Sequence, residues 1–338
     1  MQPPPSATET KQRTPARTRF IVLIAIVVVV VLAWLGLWFT GATYIRNAYD
    51  QIHAEAAAEG DELTCGKLDV AGLPFRFDLF CQDLTLRADD VTLHLPKLEA
   101  TIRIYAPTHA LFFAEGPLTI SDAFTGTRRT LTWDQLEASA RTNWTALANI
   151  SIVGNNIALK DSLVGETLLA DAEGFEAHLL DAPEGRDATT HSAQWSLYSI
   201  LGGANFPELN ITNADFRLEA DFPGMPDDLQ NFDLATIFSN WREPNPHLTL
   251  HVFEGKDAEA SFSLAGNAGL DENNMWQGDF DLTSNGLDTR LSAITSAPMI
   301  NMLLGDPNSD GSLYRAYSLR HGVLFAGNAP LTALPPLF

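Results

Sequence analysis

Two cysteines and eight histidines are the first residues of this 338-residue chain whose types could do chemistry. Cys65 and Cys81 bracket LTCGKLDVAGLPFRFDLFCQDL, where Gly72 and Pro74 mark a turn and Leu73 is held extended by the proline after it. A hairpin folded about Leu73 sets Cys65 opposite Cys81, within reach of a disulfide. An oxidising compartment would let that bond persist; two free buried thiols are the competing reading. The same register puts Lys67 and Asp69 on the face of Phe77 and Leu79, which points to a bulge.

His247 and His251 fall on one strand face, as metal ligands would, but the sequence places no carboxylate or third His to match. Solvated histidines are the simpler reading. Asp306, Asn308, Asp310 and Gly311 match the opening of a calcium loop, yet Tyr317 occupies the position that needs a bidentate Glu. A polar turn before a strand is expected there. No nucleophile elbow, phosphate loop, dinucleotide fingerprint or zinc-protease motif occurs, and Asp and Glu are too abundant to single out an acid–base couple. The reading is a non-enzyme with no catalytic residue, metal site or cofactor. Sequons at Asn143, Asn149 and Asn210 would matter only in a eukaryotic secretory pathway.

The remaining chemistry is apolar. Ala214, Phe216, Leu218, Ala220 and Phe222 alternate with Asp215, Arg217, Glu219 and Asp221, which puts one set on a covered face and the other in water. Ala258, Ala260, Phe262 and Leu264 repeat the pattern, as do Trp276, Gly278, Phe280 and Leu282. Phe216, Leu218, Phe222, Phe262, Leu264, Phe280 and Leu282 are therefore the candidates for a groove that holds acyl chains. The same rows would also serve a closed core of sheet packed on sheet, and the sequence allows both.

The elements that position these rows are antiparallel, one-side-wet strands rather than the continuous apolar runs of a parallel sheet. Residues 98–104 alternate too, and shorter strands are predicted at 75–86, 91–95, 109–114, 117–121, 150–159, 167–180, 247–253, 313–320 and 323–326. Arg320-His321-Gly322-Val323 reads as a tight hairpin. Helical spacing is confined to two short pieces, Leu229–Trp241 and Leu287–Leu303, the second interrupted at Pro298. Residues 183–190 are polar and turn-like, and they divide two β-rich halves, 61–182 and 191–338.

Ahead of the strands lies the address. Residues 1–19 form a tail with Lys11, Arg13, Arg17 and Arg19, followed by the uncharged run FIVLIAIVVVVVLAWLGLWF from Phe20 to Phe39. Twenty residues at about 1.5 Å each span roughly 30 Å, a bilayer's hydrocarbon core. A transmembrane helix over 20–42 and a helical stalk over 43–60 follow, with the basic tail held in the cytoplasm. A cleaved signal peptide is the alternative, but the run exceeds the usual apolar region of one. Beyond residue 40 stand 17 basic and 41 acidic residues, a net charge of −24 that excludes nucleic acid as a partner.

Three stretches carry a resemblance: VAGLPFRFDLFCQDLTL (Val70 to Leu86), RIYAPTHALFFAEGP (Arg103 to Pro117) and the closing LRHGVLFAGNAPLTALPPLF (Leu319 to Phe338). With the span before them they resemble domain-of-unknown-function family 2125, seen mainly in alphaproteobacteria. In texture the chain is also similar to AsmA-like envelope proteins, whose sheets curl into a groove for lipid. The resemblance implies a protein of the bacterial inner membrane with a single pass and its bulk in the periplasm. The expected fold is mainly β: the anchor, then large curled antiparallel sheets with a few short helices. Membrane, lipid and other envelope proteins are the expected partners. A scaffold that recruits envelope proteins is the alternative role, and an envelope hydrolase a third.

Overall fold

The computed structural model describes residues 16–143, 147–187, 189, 192–226, 241, 247–292 and 295–335. Strands make up 62% of the described residues, against the 20–25% usual in globular domains, so the class is mainly β. Helix α1, Ala16–Glu59, carries the apolar run and the stalk as one uninterrupted element of 44 residues. It is long and apolar enough to cross a membrane.

Strand β1 (Glu62–Ala71) turns back along the stalk and pairs with β2 (Arg76–Ala88), which pairs with β3 (Val91–Arg103). Two broken strands come next. β4 (Ala106–Glu115) and β5 (Leu118–Asp122) lie end to end along β3, separated at Pro117. β6 (Thr127–Thr132) and β7 (Gln135–Thr142) return beside them, and both pair with β8 (Leu147–Asp161).

From β8 the sheet is a plain meander. It runs through β9 (Thr167–Asp187), β10 (Ser192–Phe206) and β11 (Ile211–Pro226), then β12 (His247–Lys256), β13 (Ser261–Leu270) and β14 (Trp276–Asn285). Helices α2 (Leu287–Leu291) and α3 (Ala297–Leu304) interrupt it before the two-residue β15 (Asp306–Pro307). β16 (Leu313–Arg320), β17 (Val323–Ala326) and β18 (Ala329–Ala333) finish the sheet, with β16 beside β14.

Three expectations change. The register of β1 with β2 pairs Cys65 with Leu84 and Leu68 with Cys81, three residues from direct opposition of the cysteines. That shift opposes Val70 to Leu79 and removes the clash of polar and apolar residues that folding about Leu73 produced. A flat ladder would leave the two Cα atoms about 11 Å apart. They lie 5.5 Å apart and the sulfurs are bonded, so the hairpin folds over itself where Gly66 faces Asp83, whose φ is +52°. Second, residues 183–187, expected as turn, continue β9, and β9–β10 pairing carries one sheet through that place. Third, β6, β7, β10 and β18 add to the predicted strands. The helix expected at Leu229–Trp241 lies, apart from Trp241, outside the described residues.

Arg320 pairs with Val323 around His321 (φ +47°) and Gly322 (φ +74°), the expected hairpin. The polar turn after Asp306 is closed by Asp310, whose Oδ1 accepts the Ser312 N–H at 3.0 Å.

Two closed cores hold the sheet's first and middle parts. Trp38, Ala42 and Val70 are buried with Ile45, Phe77, Leu79 and Ile104 around them, which fixes α1 to the first hairpin. Leu147, Ala193, Trp195, Met225 and Trp241 form the second, and Trp241 donates its indole N–H to the Pro223 carbonyl at 2.9 Å.

Candidate functional site

Residues opposed across an antiparallel ladder point to the same face, so the registers trace one surface through the sheet. Starting at α1, Val70 faces Leu79, Leu79 faces Ala100, and Ala100 faces Phe112. Phe112 faces Ala138, Ala138 faces Ile152, and Ile152 faces Ala177. Ser199 follows, with its hydroxyl turned to the Glu176 carbonyl at 3.0 Å, and then come Leu218, Phe253, Leu264 and Leu282. Arg315 ends the row. From Val70 to Leu282 the row crosses twelve strands, roughly 50 Å at about 4.8 Å per step.

This face is only partly covered. Beyond Val70 every member of the row is half-buried, and no phenylalanine among the described residues is fully buried. Alanine is the commonest of the fully covered apolar residues, and two tryptophans join them in the second core. Such a surface has shed part of its contact with water, and among the described residues Trp241 packs over it at the second core.

Its most recessed part is aromatic. Phe206 meets Phe216 edge-on at 6.0 Å between ring centres, and Phe253 meets Phe262 at 5.2 Å. A Cβ on Gly255 would fall 2.7 Å from the Phe216 ring and 2.5 Å from that of Phe262, so a side chain there would push these rings away. Beside them a hollow of about 420 Å³ is bounded by Phe175, Leu201, Phe206, Phe216, Leu218 and Phe253.

Among the sequence candidates, Phe216 and Leu218 line this hollow, and Phe262 leans on Phe216 with ring centres 6.4 Å apart and planes 51° from parallel. Leu264 opposes Leu282 on the same face, and Phe280 opposes Gly266 one pair further. Phe222 belongs elsewhere: it packs on Trp241, 6.2 Å between ring centres, in the second closed core. Phe175, Leu201, Phe206 and Phe253 escaped the sequence reading. For Phe253 the cause is a bulge between Leu250 and Phe253, which puts residues three apart on one face and breaks strict alternation.

The opposite face is polar. Ile200, Arg217, Glu254, Ser263 and Thr283 form its corresponding row, and Arg217 binds Glu254 at 3.0 Å. A second hollow of about 590 Å³ opens here, lined by Asp215, Arg217, Glu254 and Lys256 together with Phe216 and Phe262. Opposite charges already neutralise one another there.

Two polar constellations appear that the sequence did not reveal. Asp221 stands 2.8 Å from His251 Nε2, the carboxylate that no sequence spacing marked, and also accepts the Ser196 hydroxyl at 2.6 Å. Burial raises the Asp221 pKa, but the Ser196 and His251 hydrogen bonds outweigh it and hold the carboxyl below its ordinary value. No group of three metal-ligating side chains forms among the described residues. On β8 and β9, Ser151 Oγ lies 2.9 Å from His178 Nδ1, whose Nε2 is 3.5 Å from Glu176. The order of groups suits a nucleophile and base. However, Ser151 sits in ladders on both sides, so the nearby N–H groups are committed to strand pairing and leave no donor pair for an oxyanion.

A family model described as "Uncharacterized protein conserved in bacteria (DUF2125)" matches residues 38–335. No curated protein and no solved structure matches the chain.

Proposed function

The chain belongs to this family of uncharacterised bacterial proteins, and from that premise we propose that it is a membrane-anchored, non-enzymatic protein that holds lipid acyl chains on its apolar sheet face. One observation carries the reading. The apolar row begins at Val70, which is buried against Trp38 and Ala42 of α1, so the face starts at the membrane helix and leads away from it. Its length of about 50 Å is several times the roughly 15 Å depth of one leaflet's chains. Apolar area of this extent is costly to leave in water.

In this reading α1 is a single-pass anchor in the inner membrane, with the basic residues before the span cytoplasmic and the sheet periplasmic. The Cys65–Cys81 bond suits that oxidising compartment. A reporter active only outside the cytoplasm, fused after Phe338, is expected to be active.

Native mass spectrometry of the full chain released from lipid nanodiscs tests the lipid. Wild type should retain phospholipid, and Leu218→Asp combined with Phe253→Asp should lose most of it while remaining folded. Equal retention by both would assign the lipid to α1 alone and overturn the reading.

A second reading, a scaffold for other envelope proteins, draws on the loops at the far end of the sheet. Phe124 is 85% and Val164 88% exposed, and Ser162, in the loop of Val164, donates its N–H to the Arg128 carbonyl at 2.8 Å at the start of the strand that follows the Phe124 loop. A photocrosslinker at Phe124 that captured one dominant protein would favour it.

A further inference from the structure

The turn that joins β1 to β2 reaches back to the depth of the apolar run. A strand rises about twice as far per residue as a helix, so the ten residues of β1 retrace the stalk and return the chain to the level of the span. There Trp34 donates its indole N–H to the Pro74 carbonyl at 2.8 Å, and its ring lies 6.1 Å from that of Phe75. Trp34 stands five residues inside the end of the apolar run at Phe39, about 7 Å below it.

The tip is built for an apolar medium. Leu73 is 47% and Phe75 62% exposed although both are large and apolar. Hydrocarbon accepts only backbone whose polar groups are satisfied within the protein. The Gly72 carbonyl accepts from Arg76 N–H at 3.1 Å, that of Phe75 from Ile104 N–H at 3.0 Å, and that of Arg76 from Trp38 at 2.9 Å. Pro74 has no N–H to satisfy. Just outside the tip stand Arg76, Arg103 opposite it in the register, and the exposed Tyr105, in a domain that is otherwise strongly acidic. Apolar tip, then arginine and tyrosine, is the order of a surface that crosses from acyl chains into lipid headgroups. Between tip and helix opens a cleft of about 450 Å³, bounded by Val30, Val31, Trp34, Leu35, Leu73 and Phe75.

We propose that the Leu73–Phe75 tip is embedded in the bilayer beside α1, and that the cleft between them holds a phospholipid acyl chain with its headgroup at Arg76 and Arg103. The inference rests on reading α1 as a membrane span, and it sets the point at which lipid meets the apolar face: Phe77 and Leu79 of the same hairpin continue from the cleft into that face.

Nitroxide labels test it in the full chain, reconstituted in vesicles of phosphatidylcholine mixed with phosphatidylglycerol. Because Cys65 and Cys81 are bonded, Leu73→Cys, Phe75→Cys, Val27→Cys and Phe124→Cys each supply one labelling site, and a count of one reactive thiol checks that the hairpin has formed. Labels at Leu73 and Phe75 should collide with oxygen more than with an aqueous nickel chelate, as at Val27, and Phe124 should show the reverse. Nickel access at both tip positions with Val27 shielded would overturn the tip's insertion and leave the anchor standing. Nickel access at Val27 as well would overturn the anchor and the tip together. A phospholipid bearing a diazirine in its acyl chain should label the peptides of both α1 and the tip; adducts on α1 alone would remove the lipid from the cleft.

Discussion

Trp38 lies stacked on Phe77, ring centres 5.6 Å apart and planes 17° from parallel, although the two are thirty-nine positions apart in the chain. Gly41, one helical turn on, makes this approach feasible: a Cβ there would fall 2.6 Å from the tip of the Phe77 ring. The contact makes α1 a structural part of the sheet and gives the Gly-x-Pro-Phe-Arg motif from Gly72 to Arg76 a structural role. Its proline and arginine carbonyls bind Trp34 and Trp38, and its arginine binds the buried Asp78 at 2.6 Å.

Gly72 is the residue of that motif with least freedom. Its φ is +98°, and a Cβ would meet the Arg76 carbonyl oxygen at 2.7 Å and Asp78 Oδ2 at 2.9 Å. Gly72→Ala should cost about 2–3 kcal/mol and lower the melting temperature by several degrees. Gly126→Ala, at φ +68° with nothing within 4 Å, should cost clearly less. Thermal melts of the two variants make the comparison.

The disulfide closes a loop of about 15 residues, for which chain entropy gives roughly 3 kcal/mol, an upper value because the hairpin already restricts its unfolded ensemble. Cys65→Ser should lower thermal stability and leave Cys81 titratable. The double serine variant should cost about as much as either single one, since all three remove the same bond. Thiol counting on the unfolded, unreduced protein should find none.

A closed core and an open face respond differently to truncation. Trp195, 9% exposed in the second core, should cost about 3–5 kcal/mol when changed to alanine. Leu218→Ala should cost nearer 1 kcal/mol, because its side chain is already partly uncovered. Equal losses in chemical denaturation would mean that the apolar row is covered in solution.

Acid should act through Asp221 and Asp257. At Asp257 burial raises the pKa, but the Glu259 and Ala260 N–H groups and Arg290 outweigh it, so both carboxyls titrate below their ordinary value of 3.8. Each favours the folded state fully above that value, and its contribution fades as pH falls through the lowered folded pKa. Stability should therefore be flat near neutrality and decline below about pH 4. Asp221→Asn should shallow that decline in a series of urea melts.

Much of this was legible in the residues themselves. Strict alternation located β11, β13 and β14 and the faces of Phe216, Phe262 and Phe280, because a strand that is wet on one side must write its two faces in alternate letters. The hairpin at His321-Gly322 was equally plain. What stayed hidden depends on register. Cys65 and Cys81 suggested a symmetric hairpin, yet the apolar match of Val70 with Leu79 set the pairing three residues away. The bulge before Phe253 concealed an aromatic of the hollow, and the contacts of His251 with Asp221 and of Ser151 with His178 arise only between strands. The seating of the hairpin on Trp34 and Trp38 had no local signal.

The parity of the sheet offers the most direct measurement of the central claim. A photoreactive amino acid placed in cells, in turn, at Leu218, Leu264 and Leu282 on the apolar face and at Arg217, Ser263 and Thr283 on the other should give lipid adducts in strict alternation. Lipid on the first three positions and none on the second three is the predicted result. No lipid at any of the six, or equal lipid on both faces, would contradict the account.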